Sequence, residues 1–139
     1  MLVPVGGGGL AAGCALVLAA RAPECELLLA EPAGAADTAR SLAAGRRDVE
    51  FVPDTVCDGL RGTLGQPGFE ILRAHGARVE LVPDDATLAA QRLLWTRLKL
   101  LVEPSSAIAF AAVLQQRERL AGKRVGVILS GGNVDLDSA

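Results

Sequence analysis

The sequence has 139 residues, the length of one domain, and half of them are hydrophobic while only 3% are aromatic. Its net charge of −2 and the lack of a basic block argue against nucleic-acid binding, which needs a basic face. The apolar N-terminal stretch is interrupted by glycines and has no basic region before it, which argues against a signal peptide or a membrane helix. We therefore expect a cytoplasmic protein with no nucleic-acid or membrane partner, whose three cysteines stay reduced.

Strand and helix patterns alternate along the chain. Four apolar runs without polar alternation predict buried parallel strands at residues 2–5, 27–30, 79–82 and 125–129. Helical periodicity predicts helices at residues 10–18, 38–44, 86–101 and 104–120, the third of them capped by Asp84 or Asp85 after Pro83. Residues 45–68 are rich in Gly, Pro and Asp, so we expect an irregular excursion there with one short helix at most. The alternation predicts an α/β fold with a parallel sheet in one unit, residues 1–139.

Four consecutive glycines, Gly6 to Gly9, connect the first predicted strand to the first predicted helix. Glycines let successive backbone amides and a helix N-terminus converge on one anion, which predicts a phosphate site. A dinucleotide site is a rival interpretation, because Gly7, Gly9 and Ala12 fit G-x-G-x-x-A and Glu31 follows about twenty residues later. A purely structural glycine turn is a third.

Several motifs resemble one family, and they occur in the order that this family has. They are VPVGGGGLAAG at 3–13, AEP at 30–32, DG at 58–59, LVEPSSA at 101–107 and VILSGGNVDL at 127–136. Together they resemble the C-terminal half of the pyridoxal-phosphate-dependent serine/threonine dehydratases (threonine ammonia-lyases) and serine racemases. This resemblance implies the tryptophan-synthase-β-like fold, fold type II, of which the chain would form an incomplete three-layer α/β portion with a parallel sheet.

The resemblance implies a pyridoxal 5′-phosphate site. The backbone amides of the glycine loop would hold the phosphate, Gly59 would lie against the ring, Glu103 would lie near the cofactor, and Ser130 would hydrogen-bond the pyridine nitrogen. The loop residues concerned are Gly6, Gly7, Gly8, Gly9 and Leu10. An ordinary Ser-Gly-Gly turn is the alternative for Ser130, and a helix-start carboxylate is the alternative for Glu103.

A metal site is also implied. Glu31, Ala35 and Asp37 match the pattern E-x-x-x-A-x-D, which in this family binds Mg²⁺ or Mn²⁺. Hard cations prefer oxygen ligands, here two carboxylates and one backbone carbonyl. Ala36 stands where some relatives carry an acidic residue, which weakens the surroundings of the last ligand. The alternative is that Asp37 caps the helix at 38–44 and that Glu31 is a solvated charge at a strand end.

The catalytic half of the family's active site has no counterpart in this sequence. The Schiff-base lysine in a Ser-x-Lys segment and the loop that binds the substrate carboxylate are absent, and the only lysines, Lys99 and Lys123, match neither. We therefore expect a missing N-terminal half as partner, a homo-oligomer when complete, and little or no turnover by this chain alone. The implied activity is α,β-elimination of L-serine or L-threonine to a 2-oxo acid and ammonia. Serine racemase is the alternative within the family, and a non-catalytic phosphate-binding remnant or an NAD-binding domain is the alternative outside it.

Overall fold

The computed structural model describes residues 1–135, and every structural statement below concerns that part of the chain. Its centre is a parallel three-stranded sheet in the order β1-β2-β3. The strands are β1 (Leu2–Pro4), β2 (Leu28–Pro32) and β3 (Arg78–Val82). Leu2 pairs with Leu28, and Leu28 pairs with Arg78. The predicted α/β fold with a parallel sheet is confirmed.

Six helices surround the sheet in the described residues. They are α1 (Gly9–Arg21), α2 (Asp37–Ala44), α3 (Gln66–His75), α4 (Asp84–Leu93), α5 (Pro104–Gln115) and α6 (Arg117–Leu120). Short 3₁₀ turns cover Ala33–Ala35 and Asp58–Leu60, and a π-helical turn at Leu94–Leu98 extends α4. Within the described range, no helix is long and apolar enough to cross a bilayer.

Alternating strand residues divide the core into two halves, one on each face of the sheet. Leu2, Leu28 and Ala30 pack with residues of α4 and α5, among them Ala90, Ile108 and Ala112. Val3, Val5 and Leu29 pack with residues of α1 and α3, among them Ala15, Phe69 and Leu72. Successive strand residues point to opposite faces, so β1 and β2 are buried on both sides. This is the three-layer arrangement that the resemblance implied.

The fourth predicted strand is only partly realised. Residues 126–128 run beside β1 and form a single parallel bridge, Leu2 with Val127. The Leu2 amide donates to the Gly126 carbonyl over 2.8 Å, and the Ile128 amide donates to the Leu2 carbonyl over 3.0 Å. β3 also differs from the prediction of a buried strand, because it is the edge of the described sheet and Leu81 is 42% exposed.

The helix boundaries differ from the predicted ones for local reasons. The third predicted helix ends at Leu98, before Leu101, because Lys99 adopts a left-handed φ of 58°. The fourth breaks at Gln116 into α5 and α6. No prediction covers α3: residues 66–68 fall within the predicted irregular stretch, and residues 69–75 are assigned to no predicted element.

The predicted aspartate cap of α4 is wrong. The helix begins at Asp84 itself, and no side chain caps it. The Asp84 carboxylate accepts hydrogen bonds from the Thr55 hydroxyl at 2.6 Å and the Val56 amide at 2.9 Å. Asp84 therefore fastens the irregular segment to α4.

Candidate functional site

The residues singled out from the sequence collect at the carboxyl ends of the parallel strands. The glycine loop follows β1, Glu31 is the next-to-last residue of β2, and Ser130 follows the segment that bridges to β1. Ligands of open α/β sheets bind in the crevice outside the carboxyl ends of the strands, where the N-termini of the following helices also lie. The topology therefore brings segments that are far apart in sequence to the same edge of the sheet.

The glycine loop opens into a cavity of about 240 Å³. Gly8 has a φ of 89°, and its carbonyl accepts the Ala12 amide at 2.8 Å, which starts α1. The first amides of a helix have no partner within it and carry a partial positive charge. The cavity is lined by Pro4, Gly6, Gly7, Gly8, Gly9, Leu10, Ala11, Gly59, Leu60 and Ser130. None of these residues is charged, so backbone amides and the helix dipole would hold an anion there.

The four glycines serve two purposes. A side chain at Gly6 would place its Cβ 2.9 Å from the Leu60 Cα, and a side chain at Gly8 would overlap the Leu64 Cδ1. At Gly7 and Gly9 a Cβ would meet nothing within 4 Å. Two glycines are thus required by packing from beneath, while the other two leave room that a ligand can fill.

Gly59 is held against the glycine loop by a serine that sequence reasoning missed. The Gly59 amide donates to the Ser105 hydroxyl at 3.0 Å and to the Asp58 carboxylate at 2.8 Å. A Cβ on Gly59 would lie 3.1 Å from the Ser105 Oγ. Ser105 is the second residue of α5, and only this long-range contact distinguishes it from any other helix-start serine.

Ser130 lines the cavity, whereas Glu103 does not. Glu103 precedes α5, and its amide donates to the Gly131 carbonyl at 3.2 Å. A Cβ on Gly131 would overlap the Glu103 Oε1, so this carboxylate rests against the residue that follows Ser130. Glu103 thus supports the loop that carries Ser130, and its direct contact with a cofactor stays a prediction.

Glu31 is fully buried and caps α2. One carboxylate oxygen accepts the Thr38 amide at 2.8 Å, and the other accepts the Ala39 amide at 2.9 Å. The alternative interpretation of Glu31 as a solvated charge is therefore wrong. The interpretation of Asp37 as the cap is also wrong, because its Oδ2 accepts the Leu64 amide at 2.7 Å.

The two carboxyl groups have raised pKa values. The pKa of Glu31 is raised to about 7, chiefly by burial and to a smaller extent by the charge of Asp37, against the opposing effect of the hydrogen bonds from Thr38 and Ala39. Burial also raises the pKa of Asp37. Within residues 1–135, the Asp37 Oδ1 is buried and has no hydrogen-bond partner. A buried carboxylate oxygen without a partner is costly, and a cation would satisfy it.

The donor set fits a hard divalent cation that takes further ligands from backbone and water. No cluster of three or more His, Cys, Asp or Glu side chains occurs in the described part of the chain. Besides Glu31 and Asp37, such an ion would need oxygens such as the carbonyl of the buried Ala35. The burial of Glu31 argues against the dinucleotide interpretation, because a side chain that is 0% exposed cannot reach the ribose of a bound dinucleotide.

Comparison with known proteins identifies the family. Residues 1–131 match the family model described as pyridoxal-phosphate dependent enzyme. The chain belongs to this family. It is 41% identical over 137 residues to a β-hydroxyaspartate dehydratase from Paracoccus denitrificans and 42% identical over 142 residues to a serine racemase from Dictyostelium discoideum.

Solved structures support the same family assignment. Maize serine racemase superposes with a TM-score of 0.92 at 39% identity, over 99% of this chain and 43% of the other. The threonine deaminase of T.th. superposes with a TM-score of 0.92 at 45% identity, over 97% of this chain and 50% of the other. The fold type II assignment and the resemblance to dehydratases and racemases are confirmed. The two curated relatives are covered over 44% of their length, while 99% of this chain is matched in each.

Proposed function

We propose that this chain forms the cofactor-phosphate part of a pyridoxal-phosphate enzyme that eliminates water from L-serine or L-threonine. Hydrolysis of the released enamine then gives a 2-oxo acid and ammonia. The cavity at the N-terminus of α1 carries the proposal, because the amides of the glycine loop meet Gly59 and Ser130 there. Relatives named as dehydratases, deaminases and racemases support this reaction class. Serine racemisation is the second candidate, supported by the 42% identical Dictyostelium relative.

In this proposal the glycine loop, Gly59 and Ser130 each have a defined task. The amides from Gly6 to Leu10 bind the phosphate, Gly59 leaves room for the ring, and the Ser130 hydroxyl hydrogen-bonds the pyridine nitrogen. A hydroxyl is neutral and can donate or accept, so it does not require that nitrogen to be protonated. Bound pyridoxal phosphate would supply the electron sink for reaction at the substrate's α-carbon.

The proton-transfer chemistry belongs outside this chain. Lys99 is exposed, and its Nζ donates to the Thr96 carbonyl at 2.7 Å, while Lys123 is exposed before the bridge segment. Neither lysine lines the cavity. We therefore propose that a second half supplies the lysine and the substrate-carboxylate loop, and that this chain alone turns over little or no substrate.

A divalent cation, Mg²⁺ or Mn²⁺, is proposed at Glu31, Ala35 and Asp37. The buried Oδ1 of Asp37, which has no partner among the described residues, supports it. Its role would be structural or activating and exerted from outside the cofactor cavity, because Glu31 and Asp37 do not line that cavity.

Ligand-induced shifts in melting temperature test the cofactor assignment. The matched ligands are 4′-deoxypyridoxine 5′-phosphate, which cannot react with amines, its unphosphorylated form, and NAD⁺. We expect only the phosphorylated ring to stabilise the chain, by about 2.7 kcal/mol at a hundredfold excess over Kd. Ser130→Ala should weaken binding of this compound and leave binding of inorganic phosphate unchanged. Stabilisation by NAD⁺ alone would refute the proposal.

The whole reaction requires the second half. The DNA upstream of the Met1 codon is read in all frames for a Ser-x-Lys segment, and the segment found is co-expressed with this chain. We expect pyruvate from L-serine and 2-oxobutyrate from L-threonine, each measured with a coupled dehydrogenase. D-serine formation without pyruvate would favour the racemase. Stop codons or an unrelated gene would favour a non-catalytic remnant.

A further inference from the structure

The segment Leu64–Gly65 lies directly beneath the glycine loop and supports it. The Gly65 amide donates to the Gly7 carbonyl at 3.1 Å. The buried Leu64 side chain fills the space that a Cβ on Gly8 would occupy. The height and orientation of the loop amides are therefore set by this segment, which neither lies in a strand nor belongs to a helix.

Two charged side chains hold this segment from the other side. The Leu64 amide donates to the Asp37 Oδ2 at 2.7 Å, and the Leu64 carbonyl accepts the Arg47 Nε at 2.8 Å. Both peptide groups that flank the Leu64 Cα are thus fixed by side chains. Asp37 is the buried member of the pair, and its second oxygen has no partner in the described structure.

We propose that Leu64 and Gly65 couple the candidate cation site to the phosphate loop, with Asp37 as a positioning residue. The inference rests on the proposed function, because it joins two sites assigned there. The carboxylate is planar and rigid, so a cation on the Asp37 Oδ1 fixes the direction in which Oδ2 receives the Leu64 amide. Leu64 then holds Gly8 from beneath, and Gly65 holds Gly7. Cation binding and phosphate binding strengthen each other, because a coupling between binding sites is reciprocal.

The test measures phosphate affinity with and without the cation in the full 139-residue chain. Calorimetry gives the Kd of 4′-deoxypyridoxine 5′-phosphate in EDTA and in Mn²⁺, and paramagnetic resonance counts bound Mn²⁺ independently. We expect Mn²⁺ to tighten binding of the phosphorylated ligand at least about fivefold, the low end of typical couplings. Binding of the unphosphorylated ligand should not respond.

Two variants and a matched control locate the coupling. Gly65→Pro removes the amide hydrogen that is donated to the Gly7 carbonyl, and residue 65 already has a φ of −69°, which proline adopts. The control, Gly65→Ala, keeps this amide and places its Cβ at an ordinary contact distance of 3.5 Å from the Gly7 carbonyl oxygen. G65P should bind Mn²⁺ normally without any gain in phosphate affinity, and G65A should behave like the parent. Asp37→Asn keeps an oxygen that can accept the Leu64 amide but loses the carboxylate that would bind the cation, so its phosphate affinity should no longer respond to Mn²⁺.

The outcomes separate this inference from the proposed function. If Mn²⁺ and the phosphorylated ligand both bind but Mn²⁺ leaves the affinity for the phosphorylated ligand unchanged, the coupling is overturned and both binding sites stand. If G65P retains the full gain, the route through Gly65 is overturned. If Mn²⁺ does not bind, the cation site fails and the coupling fails with it. If the phosphorylated ligand does not bind at all, the proposed function itself is refuted.

Discussion

The buried Glu31 gives this chain an unusual pH dependence of stability. A carboxyl with a raised pKa binds its proton more tightly in the folded chain than in the unfolded chain. Its contribution to stability is therefore fully present below its unfolded pKa and is lost as the pH rises through its folded pKa. For Glu31 these limits are 4.5, its ordinary value, and about 7. Without a cation, the chain should lose stability across this window, opposite to the usual behaviour of paired carboxylates.

The magnitude follows from the difference between these two pKa values. Between 4.5 and about 7 the pKa of Glu31 rises by about 2.5, and burial is the largest cause. At about 1.4 kcal/mol for each pH unit, the free energy of unfolding should fall by about 3 kcal/mol. This is a large fraction of the roughly 5–15 kcal/mol that is typical of a folded domain. The raised pKa of Asp37 contributes with the same sign.

Glu31→Gln isolates the effect, because glutamine has the same shape and does not titrate. Urea unfolding in EDTA at a series of pH values is followed through the single tryptophan, Trp95, whose indole donates to the Val102 carbonyl at 2.8 Å. Relative to E31Q, the parent should lose about 3 kcal/mol of unfolding free energy as the pH rises from about 4.5 to about 7.5. The difference between them cancels the titration of carboxylates that do not interact with Glu31; Asp37 does interact with it.

A flat difference between the parent and E31Q over that window would refute the argument, since it would mean that Glu31 ionises at its ordinary pKa despite its burial. Repeating the series in Mn²⁺ is an internal control. A cation bound by the ionised carboxylates would lower their pKa and flatten the slope of the parent. It should have no such effect on E31Q.

The remaining predictions concern glycines near the candidate site. Gly8→Ala should cost about 1–2 kcal/mol for its left-handed φ alone, with the contact on Leu64 adding to it, and should abolish phosphate binding. Gly13→Ala in the same α1 meets nothing within 4 Å and should stabilise the chain by roughly 0.5–1 kcal/mol, as urea unfolding will measure. Gly131→Ala would force the flexible end of the Glu103 side chain to move, so it should cost less than about 1 kcal/mol in urea unfolding, and Glu103→Ala should remove that cost in the double variant. Additive costs would contradict the contact.

Local sequence patterns predicted the strands that are buried along their whole length. β1 and β2 are buried on both faces, so their apolar runs carry a clear signal. β3 looked the same in sequence, yet it is an edge strand of the described sheet, which no local pattern records. α3 was missed because its Gln-Pro-Gly start resembles a turn, although a proline near the first position suits a helix.

The candidate site was predictable in its residues but not in its connections. The motifs indicated the glycine loop, Ser130 and the carboxylates, and the strand topology brings the first two together. That Glu31 caps α2 depends on contacts with Thr38 and Ala39, which nothing in the sequence around a strand-end glutamate indicates. Its raised pKa is a consequence of that burial and was therefore invisible in the sequence.

The binding groups of this site are main-chain amides, so its specificity depends on what holds the main chain in place. Leu60 and Leu64 lie where Gly6 and Gly8 would carry side chains, and Ser105 fixes the Gly59 amide. None of these three belongs to the glycine motif, and each acts from outside it. A glycine run alone would be a flexible loop with a high entropic cost of ordering. The Leu60 backbone and the Leu64 and Ser105 side chains keep it ordered before the ligand arrives. Substitutions of Leu64 or Ser105, neither of which lines the cavity, should therefore weaken phosphate binding without touching the phosphate.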